Sequence, residues 1–229
     1  MNYIIANSRT IPNFDPFQED RTSAHHLFYS INKRYELNLN YLKKIDPKYI
    51  FFPHWSYIIP KEIYENYNCV IFHMTDLPFG RGGSPLQNLI KRKIKQTKIS
   101  AIRCVKELDA GPIYLKENLD LSGSAQEIYT RASRIIVEMI KQIIANNIQP
   151  IEQVGDVVKF ERRKPQQSEI SDISNLEDLY DHIRMLDADG YPRAFINRDG
   201  INYEFSKAKL IEGGVLRAEV ELRVINDIE

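Results

Sequence analysis

Apolar runs of strand length alternate with amphipathic segments along the first two thirds of the chain. Three of these runs have no polar face: residues 3–6 (YIIA), 49–53 (YIFFP) and 69–73 (CVIFH). Strands that are apolar on both sides are typical of parallel sheets that helices cover on both faces. The pattern therefore predicts an α/β fold with a Rossmann-like, mostly parallel sheet and helices on both of its faces.

Segments of helical periodicity separate the apolar runs. The first, residues 21–44, has apolar side chains at intervals of four from Leu27 to Leu39 and is predicted to be one helix. The strongest, residues 124–147, opens with the capping-box sequence SAQE. Shorter helices are predicted at 60–67 and 85–96, and further extended segments at 99–105, 111–121 and 157–162.

The pattern changes after the polar linker that begins at Lys164 and Pro165. Ser174 and Glu177 form a second capping-box sequence before a short amphipathic helix. Asp199-Gly200 lies between two apolar runs, which is a hairpin signal, and residues 215–225 alternate with period two. We therefore predict a main domain over residues 1–165 and a small C-terminal α+β domain over residues 170–229.

The composition indicates a well-packed protein without a strongly charged partner. Hydrophobic residues make up 43% and charged residues 27%, while Lys+Arg and Asp+Glu both number 31. A formal net charge of zero argues against nucleic acid or an anionic membrane as the main partner. Both cysteines, Cys69 and Cys104, lie in apolar runs, as thiols do in a reducing compartment. With neither a membrane-spanning run nor a signal-peptide pattern, the expected location is the cytoplasm.

Polar residues follow the predicted strands where an active site is expected. His54 and His73 end two consecutive strands, and the next strand leads into a loop that carries Asp109. Ligands of open α/β sheets bind beyond the carboxyl ends of the strands. One such histidine is more often a buried polar residue, but three such residues at one edge favour catalysis. No HExxH or CxxC spacing occurs, so no metal is expected.

Two segments at this edge, FHMTDLPFGRGGSPL and VKELDAGPIYLK, resemble the N10-formyltetrahydrofolate-dependent formyltransferases. That family has Asn-x-His, a Leu-Pro loop with Arg-Gly, and a later Asp-Ala-Gly. The segment DPKYIFFPHWSYIIPKEI is similar to the preceding strand and loop of the same enzymes, so the resemblance covers residues 45–165. It is closest to the sugar-nucleotide N-formyltransferases, whose appended segment is similar to residues 179–195. The resemblance implies that residues 1–165 form the catalytic domain.

The resemblance implies acyl transfer, in which an amine attacks the formyl carbon on N10 of the folate. His73 is then expected to stabilise the developing oxyanion, and Asp109 to orient the imidazole and assist removal of the amine proton. One position departs from the family, because Ile71 stands where the asparagine is expected and cannot donate a hydrogen bond. His54, at the end of the neighbouring strand, is expected to take over that function.

The resemblance also implies binding residues. N10-formyltetrahydrofolate is the expected co-substrate, without a metal, and Arg81, Gly82 and Gly83 are expected to contact the acceptor. A solvated loop arginine and a packed tryptophan remain alternatives of about equal weight for Arg81 and Trp55. The residues expected to bind the folate are Trp55, Ser56, Tyr57, Val105, Lys106, Leu108 and Asp109.

Three formyl acceptors are compatible with such a core. Phosphoribosylglycinamide-type enzymes have a glycine-rich loop after the first strand, whereas residues 6–14 here (ANSRTIPNF) lack glycine. Zero net charge and the acidic residues 168–181 argue against initiator tRNA. The expected partner is therefore a nucleotide-linked amino sugar. The resemblance implies a UDP-linked 4-amino-4,6-dideoxy sugar, as in a pathway of the pseudaminic-acid type.

Two further alternatives stay open. Because Ile71 replaces the family's asparagine, the chain could be a non-catalytic folate- or nucleotide-sugar-binding protein, and another amine acceptor is also compatible. The oligomeric state is not determined, and a homodimer is one option. No nucleic-acid or membrane partner is expected.

Overall fold

The computed structural model describes residues 1–8 and 26–225. Short 3₁₀ turns occur at Arg34–Glu36 and Pro165–Ser168. The strands are β1 (Asn2–Asn7), β2 (Leu27–Ile31), β3 (Tyr49–His54), β4 (Cys69–His73), β5 (Phe79–Gly82), β6 (Gln96–Arg103), β7 (Ile113–Asp120), β8 (Val158–Phe160), β9 (Ala194–Arg198), β10 (Ile201–Ile211) and β11 (Val215–Val224). The helices are α1 (Leu39–Ile45), α2 (Lys61–Tyr64), α3 (Pro85–Lys91), α4 (Ala125–Asn146) and α5 (Leu176–Arg184).

The chain divides into two compact units, and neither is one continuous segment. The first unit comprises Met1–Gly82, Lys98–Leu119 and Thr130–Lys159. The second comprises Gly83–Thr97, Asp120–Tyr129 and the chain from Phe160 onwards. The functional division between residues 1–165 and 170–229 stays a prediction.

A six-stranded sheet with the order β2-β1-β3-β4-β6-β7 confirms the predicted α/β fold. The pairs β1–β2, β1–β3 and β3–β4 are parallel, so the sheet is mostly parallel. Strand β6 is antiparallel to β4, with Val70 opposite Arg103 and His73 opposite Ser100. This reversal was not predicted, because the apolar pattern of a buried strand does not encode its direction.

Successive residues of β3 pack on opposite faces of the sheet, as the absence of a polar face predicts. Ile50 and Phe52 belong to an apolar cluster that also contains Leu42 of α1 and Ile63 of α2. Phe51, on the opposite face, contacts other aromatic rings: Tyr3, Tyr49 and Phe72. Burial of both faces is the main stabilising term for such a strand.

The predicted helix at residues 21–44 is wrong where the structure describes it. Residues 27–31 form β2, which pairs in parallel with β1 from Asn2↔Leu27 to Ala6↔Ile31, and α1 begins only at Leu39. Residues 21–25 lie outside the described residues. Spacing by four suits a helix, but aromatic and β-branched side chains also suit an edge strand, and main-chain pairing with β1 prevails.

Two other helix boundaries also differ from the prediction. Helix α3 ends at Lys91, because Lys93 adopts a left-handed conformation with φ of 59° and β6 starts at Gln96. Helix α5 is capped by Asn175, whose side chain accepts a hydrogen bond from the Asp178 backbone, and not by Ser174.

Two local predictions are confirmed. The Ser124 backbone donates to the Glu127 carboxylate at 2.8 Å and the Glu127 backbone donates to Ser124 Oγ at 3.3 Å, which is the predicted capping box of α4. Asp199 and Gly200 both have positive φ, 51° and 75°, and join β9 to β10 in a two-residue hairpin. With β11 these strands form an antiparallel sheet of order β11-β10-β9.

Candidate active site

His73 ends β4 in a buried position, and both of its ring nitrogens face polar atoms of the first unit. Nε2 lies 2.7 Å from the carbonyl oxygen of Gly80. A carbonyl oxygen only accepts hydrogen bonds, so Nε2 carries the hydrogen. Nδ1 lies 3.7 Å from Oδ2 of Asp109, and each of the two side chains is only 8% exposed. Nδ1 of His73 therefore faces a carboxylate oxygen.

Asp109 is held by the same short strand that holds His73. Its Oδ2 accepts a hydrogen bond from the backbone N–H of Gly82 at 2.9 Å, two residues beyond the Gly80 carbonyl. Strand β5 thus fixes one side chain through a carbonyl and the other through an amide. The glycine-rich segment that follows β4 in the sequence therefore supplies backbone contacts to the buried pair.

The route by which Asp109 reaches His73 differs from the expected one. The expectation assumed that β4 and β6 end at the same edge, but β6 runs the other way, and Cys104 N donates to Cys69 O at the start of β4. The loop after β6 brings Asp109 back to the end of β4. Gly111 closes this loop, and any Cβ there would collide with the carbonyl oxygen of Arg103.

Arg81 and Gln153 form a second set of contacts beside the pair. Nε and Nη2 of Arg81 donate to Gln153 Oε1 at 3.1 and 2.8 Å, and Nη1 lies 3.6 Å from Oε1 of Glu107. Gln153 Nε2 donates to the carbonyl oxygens of Asp109 and Gly111, each at 2.8 Å. No local sequence pattern singles out Gln153, a polar residue in an irregular segment. The expected contact of Arg81 with the acceptor stays a prediction.

His54 ends β3 and contacts a different part of the first unit. Its Nε2 lies 2.8 Å from Oγ of Ser133 on α4, and its carbonyl oxygen accepts from the N–H and the hydroxyl of Ser8, both at 2.9 Å. The structure thus brings His73 together with Asp109, and His54 together with Ser133. The expected role of His54 at the oxyanion stays a prediction.

Ile71 occupies the position at which the family has an asparagine. It is paired with Phe52 across the parallel strands and packs, half-buried, against the apolar cluster of α1 and α2. An apolar side chain suits these surroundings, which explains how the chain tolerates Ile71.

The loop after β3 lines an open pocket of about 440 Å³. Within it Nε1 of Trp55 is buried and has no hydrogen-bond partner among the described residues. Tyr57 packs edge-on against Trp55 and is exposed, as is Ser56. The pocket is mainly apolar and has one cationic group. Its lining residues are Arg34, Tyr35, Leu37, Trp55, Ile58 and Pro60.

The other residues expected to bind ligands lie in two places. Val105 is half-buried, and Lys106 and Leu108 are exposed in the loop that carries Asp109. Gly83 belongs to the second unit, where its N–H donates to the Phe160 carbonyl at 3.2 Å. A side chain at Gly83 would overlap Arg162, so packing requires a glycine there.

The two thiols are unsuited to nucleophilic chemistry. Burial raises the pKa of Cys104 to about 11, and the negative charge of Asp109 acts in the same direction. Burial also raises the pKa of Cys69. Thiolates are the reactive form, so both groups are inert near neutral pH.

Residues 1–8 and 26–225 contain neither a metal-binding cluster nor a membrane-spanning helix. Among these residues, no group of three or more His, Cys, Asp or Glu side chains is arranged to hold a metal ion. Within the same ranges, no helix combines the length and apolar character needed to cross a membrane.

The chain is similar to known proteins over its C-terminal segment and also in a longer alignment of 133 residues. A family model described as the methionyl-tRNA formyltransferase C-terminal domain matches residues 165–223. Methionyl-tRNA formyltransferase from Rickettsia felis is 32% identical over 133 residues, which are 56% of this chain and 44% of the relative. The chain thus spans less than half the length of the curated relatives that it matches.

Solved structures extend the similarity to nearly the whole chain. A methionyl-tRNA formyltransferase from Clostridium thermocellum is 50% identical, covers 98% of this chain and 99% of its own, and superposes with a TM-score of 0.93. HypX from Aquifex aeolicus in complex with tetrahydrofolic acid shares the fold with a TM-score of 0.73. It is 14% identical and covers 90% of this chain and 37% of its own.

These relatives overturn the expected partner. The expectation of a nucleotide-linked amino sugar, with nucleic acid excluded, is wrong, because the similar proteins are methionyl-tRNA formyltransferases. Zero net charge is a poor guide to a polyanionic partner for a physical reason. Net charge sums over the whole surface, whereas recognition of a polyanion depends on where the basic side chains lie.

Proposed function

Because the chain belongs to the formyltransferase family, we propose that it transfers a formyl group from N10-formyltetrahydrofolate to the amino group of methionyl-tRNA. The buried pair of His73 and Asp109 carries the proposal of catalysis, since it combines a proton donor and a carboxylate at a strand end. The acceptor is supported by the 50% identity to the Clostridium thermocellum protein over nearly the full chain.

The reaction forms a bond between the amine nitrogen and the formyl carbon and breaks the bond from that carbon to N10 of the folate. Negative charge develops on the formyl oxygen during the attack, and a donor placed there lowers the barrier. The Nε2–H of His73 is donated to the Gly80 carbonyl. The formyl oxygen would compete with that carbonyl for the same hydrogen.

Asp109 would act on both the His73 imidazole and the attacking amine. Its carboxylate, 3.7 Å from Nδ1 of His73, stabilises positive charge on the imidazole when the oxyanion forms. The same carboxylate can accept the proton that the attacking amine must lose. The Gly82 N–H donates to one carboxylate oxygen, Oδ2, and leaves Oδ1 for the reaction.

The pocket beside Trp55 supports folate binding. Aromatic and apolar side chains line it, and Arg34 supplies a guanidinium group. An aminobenzoyl-glutamate group has matching chemistry, an aromatic ring followed by carboxylates. The half-buried Trp55 is the only tryptophan in the sequence, so its fluorescence would report tetrahydrofolate binding directly.

The test is to incubate the protein with N10-formyltetrahydrofolate and methionyl-tRNA, then hydrolyse the ester and analyse the amino acid by mass spectrometry. We expect formylmethionine from methionyl-tRNA and none from free methionine or uncharged tRNA. The His73→Ala variant is the matched control. Folate binding without formylmethionine would refute the acceptor, and the absence of both would refute formyl transfer.

A further inference from the structure

Gln153 connects Arg81 to the loop that carries Asp109. Its carbonyl oxygen accepts two hydrogen bonds from Arg81, at 3.1 and 2.8 Å. Its amino group donates to the carbonyl oxygens of Asp109 and Gly111, both at 2.8 Å. A guanidinium only donates and a carbonyl only accepts, so the orientation of the Gln153 amide is fixed by its partners.

The loop that Gln153 holds has an unusual conformation. Asp109 is left-handed, with φ of 53°, a conformation that is uncommon for residues other than glycine, although aspartate adopts it more readily than most. Gly111 lies against the Arg103 carbonyl with no space for a side chain. Gln153 bonds the Asp109 and Gly111 carbonyls and thereby holds the 109–110 peptide plane, which adjoins the Asp109 Cα, and the 111–112 plane further along the loop.

We propose that Gln153 is a positioning residue, which holds the Asp109 carboxylate against His73, and that Arg81 acts through Gln153. This inference rests on the proposed function, because it assigns a role within the same site. The Arg81 side chain is 13% exposed, and its Nε and Nη2 groups are bonded to Gln153. Through these hydrogen bonds Arg81 sets the orientation of the Gln153 amide, and this amide in turn holds the loop that carries Asp109.

The chemistry of these contacts requires an amide at position 153. The side chain must accept from a guanidinium on one side and donate two hydrogens on the other, and a carboxylate satisfies only the first requirement. Gln153→Glu keeps the acceptor for Arg81 and loses both donors to the loop. The substitution therefore keeps the hydrogen bonds from Arg81 and removes only the two hydrogen bonds to the loop that carries Asp109.

The kinetic test compares Gln153→Glu with Gln149→Glu. Gln149 is exposed and bonds only locally, to the Asn147 carbonyl, which makes it a matched control. We expect kcat to fall about 10- to 100-fold in Gln153→Glu, because small misplacements of a catalytic group have effects of that size. KM for the folate should stay within about threefold, and Gln149→Glu should match wild type.

Coupling to Asp109 distinguishes positioning from general stability. In an Asp109→Asn background the additional effect of Gln153→Glu should shrink to less than about threefold, since residues that act as a unit are not additive. An undiminished effect in that background would overturn the proposal. So would a normal kcat in Gln153→Glu. If Gln153→Glu does not fold, Gln153→Asn, which keeps both groups on a shorter side chain, is compared in its place.

A second readout does not depend on activity. The Gly82 N–H is bonded to the Asp109 carboxylate, so its hydrogen exchange reports whether that carboxylate is in place. We expect faster exchange in a peptide spanning residues 79–83 for Gln153→Glu and no change for Gln149→Glu. Unchanged exchange would overturn the proposal. If the wild type transfers no formyl group, the proposed function fails, while this exchange measurement still decides the role of Gln153.

Discussion

At the scale of single residues, the site consists of side chains that are fixed by backbone groups. His73 is bonded to the Gly80 carbonyl and Asp109 to the Gly82 amide, so one four-residue strand sets the distance between imidazole and carboxylate. Both contacts are made by backbone groups, and the positive φ of Gly80 and Gly82, 82° and 112°, favours glycine at both positions. The imidazole and the carboxylate are the groups whose chemistry can be removed by substitution.

His73→Ala is expected to lower kcat by about 10²–10³-fold, as loss of one oxyanion donor does. The fold should persist, because the His73 side chain contacts the Gly80 carbonyl of β5 and the Asp109 carboxylate and does not belong to the apolar cluster around β3. Formylation kinetics measure the expected fall in kcat, and the thermal midpoint shows whether the fold persists. Turnover within a few-fold of wild type would remove His73 from the mechanism.

Asp109→Asn is expected to lower kcat by at least about 10²-fold, because an amide cannot accept the proton of the amine. Asparagine tolerates the left-handed φ of 53° better than most residues, so folding and tetrahydrofolate binding should be retained. Trp55 fluorescence measures the binding. If stability collapsed while activity per folded molecule stayed normal, Asp109 would be only a turn residue.

His54 is the residue for which two roles can be separated by experiment. If it supplies the second oxyanion donor, His54→Ala lowers kcat about 10²-fold and His54→Asn restores part of the loss. If it serves mainly to bond Ser133, both variants lose stability and retain near-normal kcat. Urea denaturation together with formylation kinetics distinguishes these outcomes.

At the scale of elements, the loop after β6 begins at the opposite edge of the sheet from the one that the sequence predicted. Because β6 is antiparallel to β4, its loop starts far from His73 and depends on close packing at Gly111 to return. The contact of Gly111 with the Arg103 carbonyl therefore determines the geometry of the site as well as the stability of the sheet.

Gly111→Ala is expected to destabilise the protein by about 2–3 kcal/mol, because the added methyl group overlaps the Arg103 carbonyl and forces the backbone to move. Gly190→Ala is the control. Gly190 has φ of 68° and open space around its Cα, so only the conformational cost of about 1–2 kcal/mol applies. Urea unfolding measures the free energy of unfolding of both variants. An equal or smaller effect at Gly111 would contradict the described loop.

At the scale of the whole molecule, residues near the C-terminus complete the second unit. Arg184 of α5 donates to the carbonyl oxygens of Leu121 and Gly123, and Gln87 of α3 donates to the Met185 carbonyl. Segments distant in sequence thus stabilise one another. The residues expected to bind the folate all lie in the first unit.

Ending the chain at residue 169 is expected to lower the thermal midpoint, because these hydrogen bonds and the buried surface around α3 are lost. Tetrahydrofolate binding, followed by Trp55 fluorescence below the transition, should persist. Arg198→Ala, at an exposed position, is the control and should leave both properties unchanged. A truncated chain that stayed folded and bound no folate would contradict the predicted division of roles.

The sequence by itself determined the features that depend on neighbouring residues. Apolar runs without alternation predicted the sheet, SAQE predicted the cap of α4, and Asp199-Gly200 predicted the hairpin. The His73 and Asp109 motifs indicated the family as well as the two residues that the structure pairs. Each of these signals is local, because helix caps, turns and strand burial are set within a few residues.

Only the tertiary structure decided the features that join distant parts of the chain. It made residues 27–31 a strand beside β1, reversed β6, and placed Gln153 between Arg81 and Asp109, which are 72 and 44 residues away in sequence. The physical reason is that main-chain pairing and side-chain hydrogen bonds are satisfied by whichever partner the packed fold supplies. A local pattern shows that a group must be satisfied and does not show which distant group satisfies it.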